Sequence, residues 1–328
     1  MNIRLALRVA RDNWNDAGWW RETAIPFAKR TLLAGTLKPY YRLFGPEGQN
    51  FMAEDWDNLL ILDACRYDMF EDVCSIDGDL QSMTSVGSST PEFLQRTFQG
   101  GTFPNTVYVT SNPQVSLRLD TDIFHDVVSV WKTDWNDDLG TVEPHAVTER
   151  ALEAQERYPN KRLIIHYMQP HYPFIGERRR DDLGGQSGFE LTKRLANDEA
   201  AERDARTVWD QLDDGELSED VVWDAYLENL ELVLNDIESL LSEFRGKTVV
   251  TSDHGNLVGE TATPFGLELY GHPTGIHAEN LVTVPWLALE TGSRKTITAE
   301  DSTASRNVEP TDEESDAIKE RLRDLGYA

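Results

Sequence analysis

Four places in this chain carry side chains that could hold a cation and act on an anionic ester. Asp253 and His254 stand side by side in Thr251-Ser252-Asp253-His254-Gly255, directly after the run Lys247-Thr248-Val249-Val250. That apolar, β-branched run reads as a buried strand. In open α/β sheets, chemistry collects at the carboxyl ends of strands. The pair there offers one oxygen and one nitrogen ligand. Asp63 ends a second apolar run, Asn58-Leu59-Leu60-Ile61-Leu62. His171 follows a third, Arg162–Met168, and His272 lies in the loop ahead of the last one. Taken singly, each has an ordinary structural explanation, as a helix cap or a hydrogen-bonded imidazole. Taken together they describe a divalent-metal site rich in oxygen ligands.

A hydroxyl completes the set. In Ser88-Ser89-Thr90-Pro91-Glu92, hydroxyl residues precede a proline and an acid, the signature of a helix N-terminus. Unpaired backbone N–H groups and the positive end of the helix dipole make that place suited to a phosphate or sulfate group. A cation held by Asp63, Asp253 and His254 would lower the pKa of such a hydroxyl and polarise the anion. Arg66 stands three residues after Asp63 and is the candidate to meet the anion's oxygens.

The elements that must position these groups alternate between strand and helix. Strands are expected at 58–62, 106–110, 127–131, 162–168, 247–250 and 284–289. Helices are expected to open near Asp63 and at Ser89–Pro91, to run from Pro144 to about Tyr158, and to span about 218–245. This alternation implies an α/β fold, three layers α/β/α around a mostly parallel sheet. Residues 1–50 read as an N-terminal helical segment and 51–328 as the main domain. A highly charged insertion at about 176–240 opens with Arg178-Arg179-Arg180-Asp181-Asp182. Residues 291–311 read as polar linker and 312–326 as a terminal helix.

Composition narrows the class. Asp and Glu total 58 against 31 Lys and Arg, a formal net charge of -27. So acidic a surface repels nucleic-acid phosphates, so no nucleic-acid partner is expected. It suits a cytoplasm of very high salt, such as that of a haloarchaeon. The only cysteines, Cys65 and Cys74, are too few for a disulfide framework or a thiolate cage. No run approaches the roughly 20 apolar residues of a membrane span, and the N-terminus lacks a secretory pattern. A cytoplasmic location is expected. The N-terminal helix carries Arg4, Arg8, Arg11, Arg21, Lys29 and Arg30, which offers a peripheral contact with a membrane surface.

The segments 58–68, 166–174, 251–260 and 279–287 resemble, in order, motifs of the alkaline phosphatase/sulfatase superfamily. The likeness covers about residues 56–290. It implies an alkaline-phosphatase-like fold, with Asp63, Asp253 and His254 binding metal and His171 and His272 facing substrate. It also implies a nucleophile after the first motif. Cys65 and Cys74 lack the Cys-x-Pro-Ser-Arg context from which true sulfatases make formylglycine. Aligning the proline places Ser89 at the nucleophile's position, whereas capping geometry favours Thr90. In two-metal members the middle motif contributes an Asp, and Gln169 stands there instead. One cation is therefore expected, whether manganese, magnesium, calcium or zinc. The expected activity is hydrolysis or transfer of a phosphate or sulfate ester, small-molecule or glycan-borne, with a phosphodiesterase or phosphotransferase favoured over a true sulfatase. His171 is a candidate acid for the leaving group. The alternative is a non-catalytic scaffold of the same fold that works beside glycan or membrane-surface enzymes.

Overall fold

A computed structural model describes residues 33–177, 187–197 and 207–299, with Leu183 and residues 13–16, 18 and 20 besides. The basic N-terminal stretch, most of the charged run 178–206 and the expected helix at 312–326 lie largely or wholly outside them. In chain order the described elements are α1 (Lys38–Phe44), β1 (Asn58–Asp63), α2 (Tyr67–Val73), β2 (Asp79–Thr84), α3 (Thr90–Phe98), β3 (Phe103–Thr110), α4 (Gln114–Arg118) and β4 (Phe124–Ser129). There follow β5 (Trp135–Asn136), β6 (Thr141–Val142), α5 (Pro144–Arg157), β7 (Arg162–Pro170), α6 (Ser187–Ala196), α7 (Val208–Asp213) and α8 (Glu219–Glu243). The last are β8 (Gly246–Ser252), β9 (Leu257–Ala262), β10 (Leu267–Gly271), α9 (Glu279–Val282) and β11 (Thr283–Thr291).

Seven strands form one sheet in the order β2-β11-β8-β1-β7-β3-β4. The five from β8 to β4 run parallel, and β11 is antiparallel to both its neighbours. β1 is buried along its whole length, which is why its six residues include four consecutive Leu or Ile. Helices cover both faces. On one, Leu60, Leu62, Ile165 and Val250 pack with α8 residues such as Tyr226, Leu230 and Ile237. On the other, Leu59, Ile61, Ile164 and Val249 pack with Phe93, Leu94 and Phe98 of α3 and with the aromatic group Phe51, Trp56 and Tyr108. Alternate residues of each strand thus belong to different layers, as the period of a strand requires. A smaller core joins Leu37 and Tyr41 to Leu257, Leu269 and Ile276, and so docks α1 on the β9–β10 hairpin. No described helix is long and apolar enough to cross a membrane.

The layering places the site. Asp63, His166 and Asp253 share the register phase of Ile61, Ile164 and Val249, so all three face the side on which α3 packs. β8, β1 and β7 are adjacent at the centre of the sheet. Their carboxyl ends therefore bring residues 63, 171 and 253 together.

Candidate metal centre

Asp63 and Asp253 are fully buried, as are His166 and His254. His254 Nε2 lies 3.8 Å from Asp63 Oδ1 and 3.5 Å from Asp253 Oδ2. Thr90 Oγ1 lies 3.3 Å from Asp63 Oδ2 and 3.2 Å from His254 Nε2. Thr90 is the first residue of α3, so its hydroxyl sits at the helix's positive end. Ser89 is turned elsewhere, with its Oγ 2.8 Å from Thr274 Oγ1. The two hydroxyls that sequence reasoning left open are thus separated, and Thr90 faces the carboxylates.

The backbone around the carboxylates is held tightly. Ala64 adopts a φ of 62°, in the left-handed region that costs an L-residue about 1–2 kcal/mol. Its N–H donates to Asp253 Oδ1 at 3.0 Å, and its carbonyl accepts from the Tyr226 hydroxyl. The Cys65 N–H donates to Ser252 Oγ at 2.8 Å, which binds the β1 turn to the end of β8. Gly255 must lack a side chain, since a Cβ there would lie 2.2 Å from the Asn280 carbonyl oxygen.

The hydrogen bonds define an acceptor-rich hollow. His254 Nδ1 donates to the Gly255 carbonyl at 2.8 Å, so Nε2 presents a lone pair. Asp63 Oδ1 and Asp253 Oδ2, both buried, accept no hydrogen bond. Two carboxylate oxygens and an imidazole lone pair therefore converge, with the Thr90 hydroxyl the one donor among them. Burial first, and the neighbouring Asp253 second, raise the Asp63 pKa well above the usual carboxylate range; burial also raises Asp253. Burial lowers His254 to about 4. A set of buried acceptors with a single donor is costly unless a cation neutralises it. Buried acceptors so placed could hold a metal ion.

His272 and His171 line up beside this hollow. The ring of His272 is centred 4.7 Å from that of His254 and 5.0 Å from that of His171. His272 Nδ1 donates to Asn256 Oδ1 at 2.7 Å, and His171 Nδ1 to the Tyr172 carbonyl at 2.5 Å. Burial first, and neighbouring imidazoles second, hold both well below the ordinary histidine range.

Besides Ser89, Arg66 is the expected site residue whose side chain does not turn into the hollow. Its guanidinium binds Asp68 through Nε at 2.9 Å and through a terminal nitrogen at 2.5 Å. The other terminal nitrogen lies 2.5 Å from Glu260 Oε1 and 3.3 Å from the Asn256 carbonyl. The group also stacks over Trp223. Its fork is occupied by carboxylates of this chain, which corrects the expectation that it meets an anion.

Sequence reasoning missed two further polar neighbours. Asn112 Nδ2 donates to Asp63 Oδ2 at 2.6 Å. It follows the carboxyl end of β3, so the strand-end rule used for Asp63 would have found it. His166 lies inside β7, and a histidine within an otherwise apolar buried strand was its signal.

Sequence comparisons add nothing: no protein-family model matches, and no curated protein matches. Solved structures of low similarity do match. The integral membrane lipooligosaccharide phosphoethanolamine transferase A from Neisseria meningitidis is 13% identical, with a TM-score of 0.45. The match covers 88% of this chain, which spans 60% of the length of that protein. The C-terminal periplasmic domain of EptC from Escherichia coli, in a complex with Zn, is 14% identical with a TM-score of 0.41. That match covers 75% of this chain and 77% of the other. An alkaline phosphatase superfamily protein from Vibrio parahaemolyticus is 12% identical over 78% of this chain and 62% of its own, with a TM-score of 0.35. The fold is three-layered, α/β/α, around a mostly parallel seven-stranded sheet. The four sequence motifs fall on the sheet's carboxyl edge and the segments around it.

Proposed function

We propose that this chain is a metal-dependent transferase or hydrolase of phosphate esters with Thr90 as its nucleophile. One observation carries the reading: the Thr90 hydroxyl points into a buried hollow of unpaired carboxylate oxygens at a helix N-terminus. Asp63, Asp253 and His254, with the Thr90 oxygen, would hold the cation. When bound, it supplies charge neutralisation for the alkoxide and for the transferred group.

The chain's own groups supply the rest. Thr90 Oγ1 passes its proton to Asp63 Oδ2, 3.3 Å away, and bonds to phosphorus as the ester P–O bond breaks, so that the phosphoryl group rests on Thr90. The N-terminal N–H groups of α3 face the transferred oxygens. His171 and His272, neutral in the free protein, bind the ester. An incoming anion raises their pKa values and lets one of them donate a proton to the leaving oxygen. Water or an acceptor hydroxyl then takes the phosphoryl group from Thr90. Neither cysteine lies among these groups, which favours phosphate over sulfate esters.

The test uses mono-aryl and bis-aryl phosphates and an aryl sulfate, with Mn2+ or Zn2+ added in molar salt. Phosphate ester turnover is expected, lost in Thr90→Ala, with a phosphorylated Thr90 peptide detected by mass spectrometry in the parent. Equal turnover in parent and Thr90→Ala overturns the proposal.

A further inference from the structure

Beneath the two carboxylates lies an imidazole that the reading above does not use. We infer that His166 binds the same cation, as a second nitrogen ligand supplied from the floor of the sheet. The inference rests on the metal-centre reading and adds a residue to it.

His166 is fully buried on β7, between β1 and β3, opposite Ile61 and Thr110. Asp63, His166 and Asp253 each offer a ligand atom, all within 4.8 Å of one another. His166 Nε2 has no hydrogen-bond partner. The other ring nitrogen is engaged: Nδ1 lies 3.0 Å from the hydroxyl of Tyr108, which is itself fully buried.

The ordinary alternative is a core histidine satisfied by hydrogen bonds, and the distances count against it. Were Nε2 protonated, it would need an acceptor. The Asp63 Oδ2 atom is 3.8 Å away, beyond hydrogen-bond range, and already accepts from Asn112 and Thr90. Were Nε2 unprotonated, it would need a donor, and a single proton held by Asp63 could pair at most two of the three orphaned atoms Asp63 Oδ1, Asp253 Oδ2 and His166 Nε2. Either protonation state leaves a buried polar atom unpaired, at a cost of roughly 1–3 kcal/mol. One cation among Asp63 Oδ1, Asp253 Oδ2 and His166 Nε2 resolves all three at once. In that state Nδ1–H donates to the Tyr108 oxygen. Tyr108 thus acts as a positioning residue that fixes the tautomer and aims the lone pair.

The donor set becomes two carboxylates, two imidazoles and a hydroxyl. Hard cations such as Ca2+ and Mg2+ prefer oxygen alone, whereas Zn2+ and Mn2+ accept imidazole. Zn2+ or Mn2+ is therefore expected to bind in preference to Ca2+ or Mg2+.

The full chain, stripped with chelator and reloaded with one equivalent of Mn2+, is the sample for pulsed EPR. Two directly bound imidazole nitrogens are expected in the parent and one in His166→Gln. His272→Gln should keep two, because His272 is not the second donor. Tyr108→Phe should keep the ion but bind it about 10–100-fold more weakly. Excess Mg2+ should fail to displace it. A parent with a single nitrogen overturns the inference even if His166→Gln does not fold, and so does an unchanged count in folded His166→Gln. A parent that takes up no cation at all removes the metal-centre reading itself, a result distinct from binding through one imidazole.

Discussion

Replacing Asp63 with Asn tests the hollow without altering its shape. In the parent, Asp63 Oδ2 accepts from Asn112 while Oδ1 accepts from nothing. The new amide can keep its oxygen toward Asn112. Its NH2 then stands where Oδ1 stood, 3.8 Å from the His254 lone pair. A donor enters a cluster of acceptors, and one of two buried negative charges disappears. Taking 4.8 Å, the outer limit between the grouped ligand atoms, and an effective dielectric of 20, the repulsion removed is at least about 3.5 kcal/mol. Proton uptake by the raised Asp63 carboxyl already relieves part of that, so the net gain is smaller than the full repulsion. In chelator the variant should therefore unfold a few degrees above the parent. With Mn2+ or Zn2+ at about 100 times its dissociation constant, the parent should gain about 2.7 kcal/mol and overtake it. The variant should gain little. Thermal unfolding followed by circular dichroism, with chelator and with metal, reads both effects. A variant less stable than the parent in chelator, yet shifted equally by metal, would refute the reasoning.

Three further outcomes are expected. Thr90→Ser should retain measurable ester turnover and Thr90→Val none, with both folded, since only the hydroxyl is asked to attack; initial rates decide. Arg66→Met should cost about 1–2 kcal/mol in urea unfolding, because Asp68 and Glu260 are partly exposed and keep some hydration. Its KM for the ester should stay near the parent's, as expected for a group that ties α2 to β9 rather than binding substrate. Glu92 is buried, which by itself would raise its pKa. Hydrogen bonds from His277 and from the Ser88 N–H outweigh burial and leave it at about 2. Its folded pKa is thus depressed, so its contribution, up to about 3 kcal/mol, is full above pH 4.5 and is lost as pH falls toward 2. Glu92→Gln should flatten that stretch of the stability–pH curve.

The strands with the strongest apolar runs were legible within a few residues. β1, β7 and β8 were expected at 58–62, 162–168 and 247–250 and occur at 58–63, 162–170 and 246–252. β2 was missed because Asp-Leu-Gln-Ser-Met-Thr lies at a sheet edge and is half exposed, so it carries little hydrophobic signal. The hairpin β9–β10 was missed for a similar reason. Its residues Gly259, Glu260 and Thr261 look like loop, and its pairing depends on a core formed with Leu37 and Tyr41, some 220 positions earlier. At the site, Asp63, Asp253 and His254 could be named from strand ends alone. The preference for Thr90 over Ser89 depends on which way each hydroxyl turns. Arg66 misled for the opposite reason. Its spacing from Asp63 is visible, but Glu260, which captures it, lies 194 positions away.

The order of strands across the sheet also governs when the pocket can exist. Apart from Thr90, the residues that would hold the ion lie on β1, β7 and β8 or just beyond their ends, on pairings that join Asn58 to Leu163 and to Thr248. Chain closure over such separations is slow and comes late. A nascent polypeptide emerging from the ribosome has no pocket until Asp253 and His254 emerge. Loading with metal is thereby tied to the closing steps of folding. Fragments that end before β8 should stay metal-free however well their local helices form.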